Sequence, residues 1–416
     1  MANAFKTTQK VANRLLLILK NQLVMAKLVD SRFKTEFPGA SGNGEVPIGD
    51  TITIRRPPLF DVTDGANFTA QDIVVGSTQL VINKQKHIGF TLTDFERILD
   101  YDGDTFLKDS VANAKMNRLA NQVDTDLANE LLAFPGFVGT AGDTINTIAG
   151  FNAMPNRLDN MAVPQTDRNA VLSPDDYWAL IGAFTGTVPY DNDTNKTALQ
   201  RAKLPMIGNV DAYMTQSVPT VTNGTATNGA VAGAGQAVTY AASKDTYTQT
   251  LNVDGLGANA TVKKGQSFTL ANRFAVNPIT GAKLGYLQQF TVTADATADG
   301  TGAAALTISP PIITAAPYAT VDSAVADNDV LTWFGAPGDV LVNNATFHKE
   351  AIKLAWVRPA KPHTGEYSYA EDPETGISLR LWAFSDGSDD THSYRADIIY
   401  GVKNADPRLG VRGNGA

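Results

Sequence analysis

Any chemistry in this chain would have to come from carboxylates, hydroxyls and imidazoles, because its 416 residues include four histidines and no cysteine. Disulfides, thiolate metal sites and a Cys nucleophile are excluded together. His87, His348, His363 and His392 are the candidate bases or ligands, and none has a partner at catalytic spacing. His348, Lys349 and Glu350 are consecutive, and adjacent side chains on a helix or strand diverge instead of converging on one substrate. The run "SDGSDDTH", Ser385 to His392, gathers carboxylates but lacks Gly at its sixth position and a closing Glu, so it reads as a turn. "DYDGDTF", Asp100 to Phe106, has its Gly103 misplaced for calcium, and Asp104 suits a helix cap. "GLGANA", Gly255 to Ala260, is a lone glycine motif with no amphipathic helix after it. G-x-S-x-G, P-loop and H-E-x-x-H patterns are all missing. The expectation is no catalytic residue, no cofactor and no metal.

The elements that would position such groups are more informative. A content of 43% apolar and 18% charged residues describes ordinary globular protein, long enough for two or three domains. The net charge of −8 gives the chain as a whole no attraction for nucleic-acid phosphate. The apolar run Leu15 to Leu19 is interrupted by Lys20, with no cleavage site after it, so neither an export signal nor a membrane span is expected. It reads as an amphipathic helix in a basic arm, where Lys6, Lys10, Arg14, Lys20, Lys27, Arg32 and Lys34 face only Asp30 and Glu36, and which either packs on its own domain or grips a neighbouring subunit or an acidic partner. Removing Met1–Lys34 is expected to leave a folded body that cannot assemble.

Strands at Thr51–Ile54 and Gln79–Thr93 flank about two dozen residues, far beyond the two to five of a normal hairpin loop. Such a finger cannot bury enough apolar surface alone and is expected to lie on another chain. Leu80, Ile82, Ile88, Phe90 and Leu92 share one face with Lys84 and Lys86, while Arg55 and Arg56 precede Pro57 and Pro58. A long helix is expected from Asp104 to Ala133, with Leu107, Val111, Leu119, Val123, Leu127 and Leu131 recurring at multiples of four. Between Glu130 and Glu350 there is no Glu at all, and strands dominate, apart from "SPDDYWALIGAF", where Ser173 caps a helix and Pro174 opens it. From Asn223 to Val342 the composition turns to Gly, Ala, Thr and Asn, with strands "QSFTLAN", "LQQFTVTA" and "AALTISP". Because "NVDAYMTQSVP" and "NATFHKEAIKLAWVRP" on either side look like parts of one domain, this stretch reads as an insertion.

The basic helix, "GDTITIRRPPLFDVTDG", "TAQDIVVGSTQLVINKQKHIGFTLTDFERIL", the long helix, "SPDDYWALIGAF" and the closing "YRADIIYGVKNADPRLGVR" together resemble the major coat proteins of short-tailed bacteriophages. The similarity is strongest to the branch typified by the P-twenty-two phage of Salmonella, and it covers nearly the whole chain. It implies an α+β fold of the tailed-phage capsid type, called the HK-ninety-seven fold, with an N-arm, an E-loop hairpin, a long spine helix, peripheral and axial domains and an inserted β-barrel domain. The implied division is N-arm 1–45, E-loop 46–100, spine helix and peripheral domain 101–170, axial domain 171–222, inserted domain 223–342, and axial and peripheral domain 343–416.

The resemblance also implies a virion shell of hexamers and pentamers, assembled in the host cytoplasm with scaffolding protein and portal, holding double-stranded DNA by confinement and touching no membrane. Candidate subunit-interface residues are Arg14, Lys20, Lys27, Arg55, Arg56, Lys84, Lys86, Asp94 and Glu96. Two other classes stay open. A secreted β-rich carbohydrate-binding protein would use Trp356, Tyr367 and Tyr369 but would normally carry an export signal. A hydrolase would need a carboxylate pair such as Asp389 and Glu366, brought together only by the fold.

Overall fold

A computed structural model describes residues 8–32, 51–60, 62, 65, 70–93, 112–187, 204–373, 375–387 and 391–415. Helix α1 (Thr8–Gln22) and a single turn, α2 (Met25–Leu28), precede strands β1 (Thr51–Arg55), β2 (Ser77–Val81) and β3 (Lys84–Thr93). Helix α3 (Ala112–Ala128) tightens into a 3-10 turn at Asn129–Ala133. Then come β4 (Gly136–Val138), α4 (Ile148–Asn160), β5 (Arg168–Leu172), α5 (Pro174–Thr187), β6 (Asp211–Met214) and β7 (Thr220–Thr222). The middle of the chain holds β8 (Ala230–Val231), α6 (Tyr240–Ser243), β9 (Gln249–Asp254), β10 (Thr261–Val262) and β11 (Ser267–Val276). It continues through β12 (Lys283–Val292), β13 (Ala296–Thr297), β14 (Ala304–Ser309) and β15 (Leu331–Trp333). The last strands are β16 (Val340–His348), β17 (Ile352–Val357), β18 (Glu366–Glu371), β19 (Ser378–Asp386), β20 (Thr391–Asn404) and β21 (Gly410–Gly415).

Two compact units result, one from Met1–Ile52, Gln79–Leu127 and Ile352–Lys403, the other from the remainder. In the first, a five-stranded sheet runs β17-β20-β19-β18, with β3 on β20. The β3–β20 register extends from Lys84 opposite Tyr400 to Thr93 opposite Thr391. The expected single strand Gln79–Thr93 is therefore two strands broken at Ile82 and Asn83: β2 pairs with β1, and β3 belongs to the sheet of its own subunit. Helix α1 lies against β18 and β19 and buries Ala12, Leu15, Leu16 and Leu19, at the three- and four-residue steps of one helix face, and Leu23 just after the helix is buried as well. On α3, Met116, Leu119, Ala120, Val123 and Leu127 form the buried stripe. Leu107 and Val111 lie outside the described residues.

The second unit has a body sheet ordered β4-β21-β16-β5-β6, with β7 also pairing with β16. Helices α4 and α5 contribute Phe151, Met154, Tyr177 and Leu180 to its core. As expected from "SPDD", the Ser173 hydroxyl accepts the Asp176 amide at 3.2 Å and caps α5. Asp176 does more than complement a dipole: it is fully buried and accepts the Ser173 hydroxyl, the Asn344 amide and the Ile145 amide at 2.6 to 2.7 Å. The chain leaves this sheet at Thr222 and re-enters it at Val340, two residues that face each other in the β7–β16 ladder. Two neighbouring chain ends are what an inserted segment requires. Between them a second sheet runs β15-β11-β12-β14-β9-β8 around Val231, Leu251, Phe268, Phe290, Leu306 and Ile308. An antiparallel bridge between Ala230 and Val330 brings its two edges together, with the Leu331 amide on Gly229 O at 2.9 Å.

Candidate functional site

The finger is fixed at its base by its own chain. Period-two alternation puts Arg56 on the same side as Ile54, and both are buried, while Arg55 points to solvent. The Arg56 guanidinium donates to Ala405 O and Lys244 O at 2.9 Å each and to the Thr78 hydroxyl at 2.6 Å. One arginine thereby joins the outgoing limb, the returning limb, the inserted segment and the C-terminal segment. Beside it, Arg56 and Arg408 both lie near the ring of the buried Tyr247, 5.6 and 5.7 Å from its centroid. Burial pushes the Tyr247 phenol up to about 12. Burial would also raise the carboxyl of Asp406, but Arg408, bonded to it at 2.6 Å, and Arg56 hold it below the usual carboxylate range. Burial draws Arg56 down, against the pull of Asp406. Gly76 has no alternative at this crossing, because a Cβ there would stand 2.5 Å from Lys244 O and 2.7 Å from the Tyr240 hydroxyl.

Farther along, the Tyr318 hydroxyl accepts the Leu59 amide and donates to Val74 O, both at 3.0 Å, so it touches both limbs. Ser77 adds its amide and hydroxyl to Asp245 at 3.0 and 2.7 Å. Beyond these ties the apolar side chains Phe60, Val62 and Ile73 are exposed, Val62 by 90%.

In the first unit the cations of the finger strand and the arm have partners within the subunit. Lys84 and Lys86 reach Asp126 of α3 at 3.3 and 3.9 Å, and the Tyr400 hydroxyl donates to the same carboxylate at 2.7 Å. Burial, then the Asp126 charge, drives the Tyr400 phenol well upward. Lys20 of α1 pairs with Asp372 at 3.0 Å. Asp124, on the apolar stripe of α3 and 3% exposed, accepts the Val24 amide at 2.8 Å and also bonds the amides of Met25 and Ala26. Burial lifts its carboxyl to about 6 against those bonds and the charge of Lys27.

These positions correct three expectations. Arg56 is enclosed by its own subunit, so an anchor onto a neighbour does not describe its side chain. The base of the finger and all of β3 have partners in the same chain, so order in those parts does not wait for another subunit. The arm is also not separable at Lys34, since α1 supplies four buried side chains to its unit. Lys20, Lys84 and Lys86 are part-exposed and paired, and Arg14, Lys27 and Arg55 are exposed. Asp94, Glu96, the run Asp100 to Phe106 and Asp389 lie outside the described residues.

Sequence reasoning missed Arg412. It is 1% exposed and has no carboxylate partner among the described residues; its guanidinium donates to Gly265 O, Asn343 Oδ1 and the hydroxyls of Ser267 and Thr291. Burial pulls it down to about 9. It joins β21 and β16 to strands β11 and β12. The flanking Gly410 and Gly413, where a Cβ would collide with Phe134 and with Met154 at 2.5 Å, were the available sign of a tightly packed strand.

Among the described residues no three His, Asp or Glu side chains are grouped to hold a metal. His348 is buried in β16, where its Nδ1 accepts the Glu350 amide, and His87 and His363 are exposed. Asp386 and Thr391 are cross-strand partners, so "SDGSDDTH" connects β19 to β20. In "GLGANA", Gly255, Gly257 and Asn259 all have positive φ, and no helix follows. No helix among the described residues is long and apolar enough to cross a membrane.

A model of the family "P22 coat protein - gene protein 5" matches residues 1–415. The chain belongs to the P22 coat protein family and is a major capsid protein, a subunit of the icosahedral shell of a bacteriophage. Its fold is the α+β fold of phage capsids, and its place is the virion. Among curated proteins none matches. Similar solved structures include a chain of Mycobacterium phage Che8, at 12% identity and TM-score 0.47, covering 94% of this chain and 91% of that one. The capsid of Ralstonia phage GP4 gives 10% identity and TM-score 0.45, covering 93% and 91%. A virus-like particle from Pyrococcus furiosus gives 8% and 0.38, covering 96% and 97%.

Proposed function

We propose that the finger is the E-loop of this capsid subunit and that its outer part completes its packing on a neighbouring copy within hexamers and pentamers. The observation that carries this is the exposure of Phe60, Val62 and Ile73 beyond a base tied down by Arg56 and Tyr318. Covering such side chains on a neighbour contributes about 1.5–3 kcal/mol each, a gain that a solitary subunit lacks. Arg55 beside them, Arg14 and Lys27 on the arm, and the part-exposed Lys20, Lys84 and Lys86 are the cations available at subunit contacts, with Asp94 and Glu96 as acidic counterparts. Arg56 serves instead within the subunit.

In the same reading, residues 223–342 are the inserted β-barrel domain, a division supported by the pairing of Thr222 with Val340 and the bridge between Ala230 and Val330. The spine is α3, and the segments 171–222 and 343–416 supply the axial and peripheral domains. The role is architectural, without catalysis. Scaffolding protein and portal join assembly in the host cytoplasm, and double-stranded DNA is held by confinement, since a subunit of charge −8 offers no extensive grip on phosphate.

The test is expression with and without a scaffolding protein, followed by sedimentation and negative-stain microscopy. Closed shells are expected with scaffold. The double change Phe60→Ser, Val62→Ser should lower shell yield severalfold and leave the thermal unfolding of free subunit within about 0.5 kcal/mol. A small soluble species under every condition would defeat the reading.

A further inference from the structure

We infer that Tyr318 of the inserted segment is the positioning residue of the finger: one phenol spans the two limbs and fixes their separation and direction before any neighbour is met. This rests on reading the finger as an assembly contact.

The geometry is that of a staple. Outgoing Leu59 and returning Val74 are fifteen positions apart in sequence, yet both bond the same hydroxyl at 3.0 Å, one as donor and one as acceptor. The ring is itself clamped, lying parallel to Tyr240 at 3.6 Å between centroids and 4° between planes. Tyr240 opens α6, whose C-terminal side presents Lys244 O to Arg56 and the Asp245 carboxylate to Ser77. Ties from Lys244 and Asp245, and from Tyr318 stacked beside them on Tyr240, thus converge on finger residues 56, 59, 74 and 77. Beyond the bond from the Arg56 amide to Gly76 O at 2.8 Å, the described residues of the limbs form no ladder there, since β1 ends at Arg55 and β2 begins at Ser77. A segment without its own ladder is an open chain unless something else spaces it. The inserted segment supplies that spacing, and the exposed Phe60, Val62 and Ile73 are presented from a defined root.

Tyr318→Phe isolates the effect, because it keeps the ring stack and removes both hydrogen bonds. Hydrogen exchange of the full-length free subunit should quicken roughly tenfold or more in peptides covering residues 57–76. Peptides of β9 and β14 should be unchanged. Asp245→Ala, at an exposed carboxylate, removes the neighbouring tie to Ser77 and should give a smaller increase over the same peptides; it also stands as the test should Tyr318→Phe fold poorly. Scaffold-assisted assembly of Tyr318→Phe should then yield fewer closed shells. Exchange across 57–76 that matches the parent in both variants would overturn the staple. Quickened exchange with parental shell yield would overturn its role in assembly, and loss of shells in Phe60→Ser, Val62→Ser would still uphold the finger as a contact.

Discussion

The β15-β11-β12-β14-β9-β8 sheet and the first unit reach order by different means. The β15-β11-β12-β14-β9-β8 sheet surrounds an apolar core of Phe268, Phe290, Leu306, Ile308 and their neighbours; Arg273 and Asp329 form a largely buried pair at 2.8 Å, and other ion pairs, such as Lys263 with Asp295 at 3.4 Å, lie at exposed positions. Pairs of that kind contribute about 0–1 kcal/mol. The first unit instead buries charge. Asp397 is fully buried and held by Arg380 at 2.5 Å and Arg395 at 2.6 Å. Asp30 meets Lys353 at 2.6 Å and Arg32 at 2.9 Å. Asp126 gathers Lys84, Lys86 and Tyr400, and Asp124 stands on an apolar stripe. Apolar burial does not depend on protonation, whereas a carboxyl whose proton affinity the fold shifts, such as Asp124 or Asp30, ties stability to pH.

The largest expected effect lies in the apolar region. Phe290 is fully buried and stacked on Phe268 at 5.6 Å, and Phe290→Ala should destabilise by about 3–5 kcal/mol through lost burial and a cavity. Calorimetry should find that loss nearly constant from pH 5 to 8; a strong dependence on pH would erase the contrast between the regions. Next comes Asp397→Ala, which leaves the buried Arg380 without its carboxylate and should cost about 3 kcal/mol by urea unfolding. A loss below about 1 kcal/mol would mean that water reaches the cluster.

How far the sequence reveals this depends on the residue. The Ser173 cap and the buried faces of α1 and α3 were legible because caps and helical periods are local. The split of Gln79–Thr93 was not, since alternation continues through Ile82 and Asn83 and says nothing about which partner each half takes. Arg55 and Arg56 look alike as letters, and a signal existed: Arg56 shares the face of Ile54. What could not be read were its acceptors, Ala405 O and Lys244 O, which are 349 and 188 positions away. Tyr318 was invisible for the same reason, being 244 positions from Val74.

Asp124 sharpens the comparison with the smallest shift of the three. Its Oδ2 is bonded to the amide of Val24, but Oδ1 is buried without a partner, so the ionised form is incompletely compensated and the carboxyl is lifted to about 6. A carboxyl raised above its unfolded value makes the folded state the better proton binder between roughly pH 4 and 6. Stability from this group is therefore fully present below about pH 4 and is lost as pH rises through about 6. Asp30 has the opposite sign: burial would raise it, but Arg32 and Lys353 hold it below the usual range, so its contribution is present above about pH 4 and is lost on further acidification. Asp124→Asn keeps an oxygen acceptor for the amides of α2 and removes the charge. The variant should be more stable than the parent at pH 7 by on the order of 1–3 kcal/mol, and the gap should close as pH falls to about 4.5. Urea unfolding at the two pH values measures it directly. A gap that stays constant, or one that opens on acidification, would show that the carboxylate is already satisfied when charged and that this part of the first unit is no more sensitive to protons than the β15-β11-β12-β14-β9-β8 sheet.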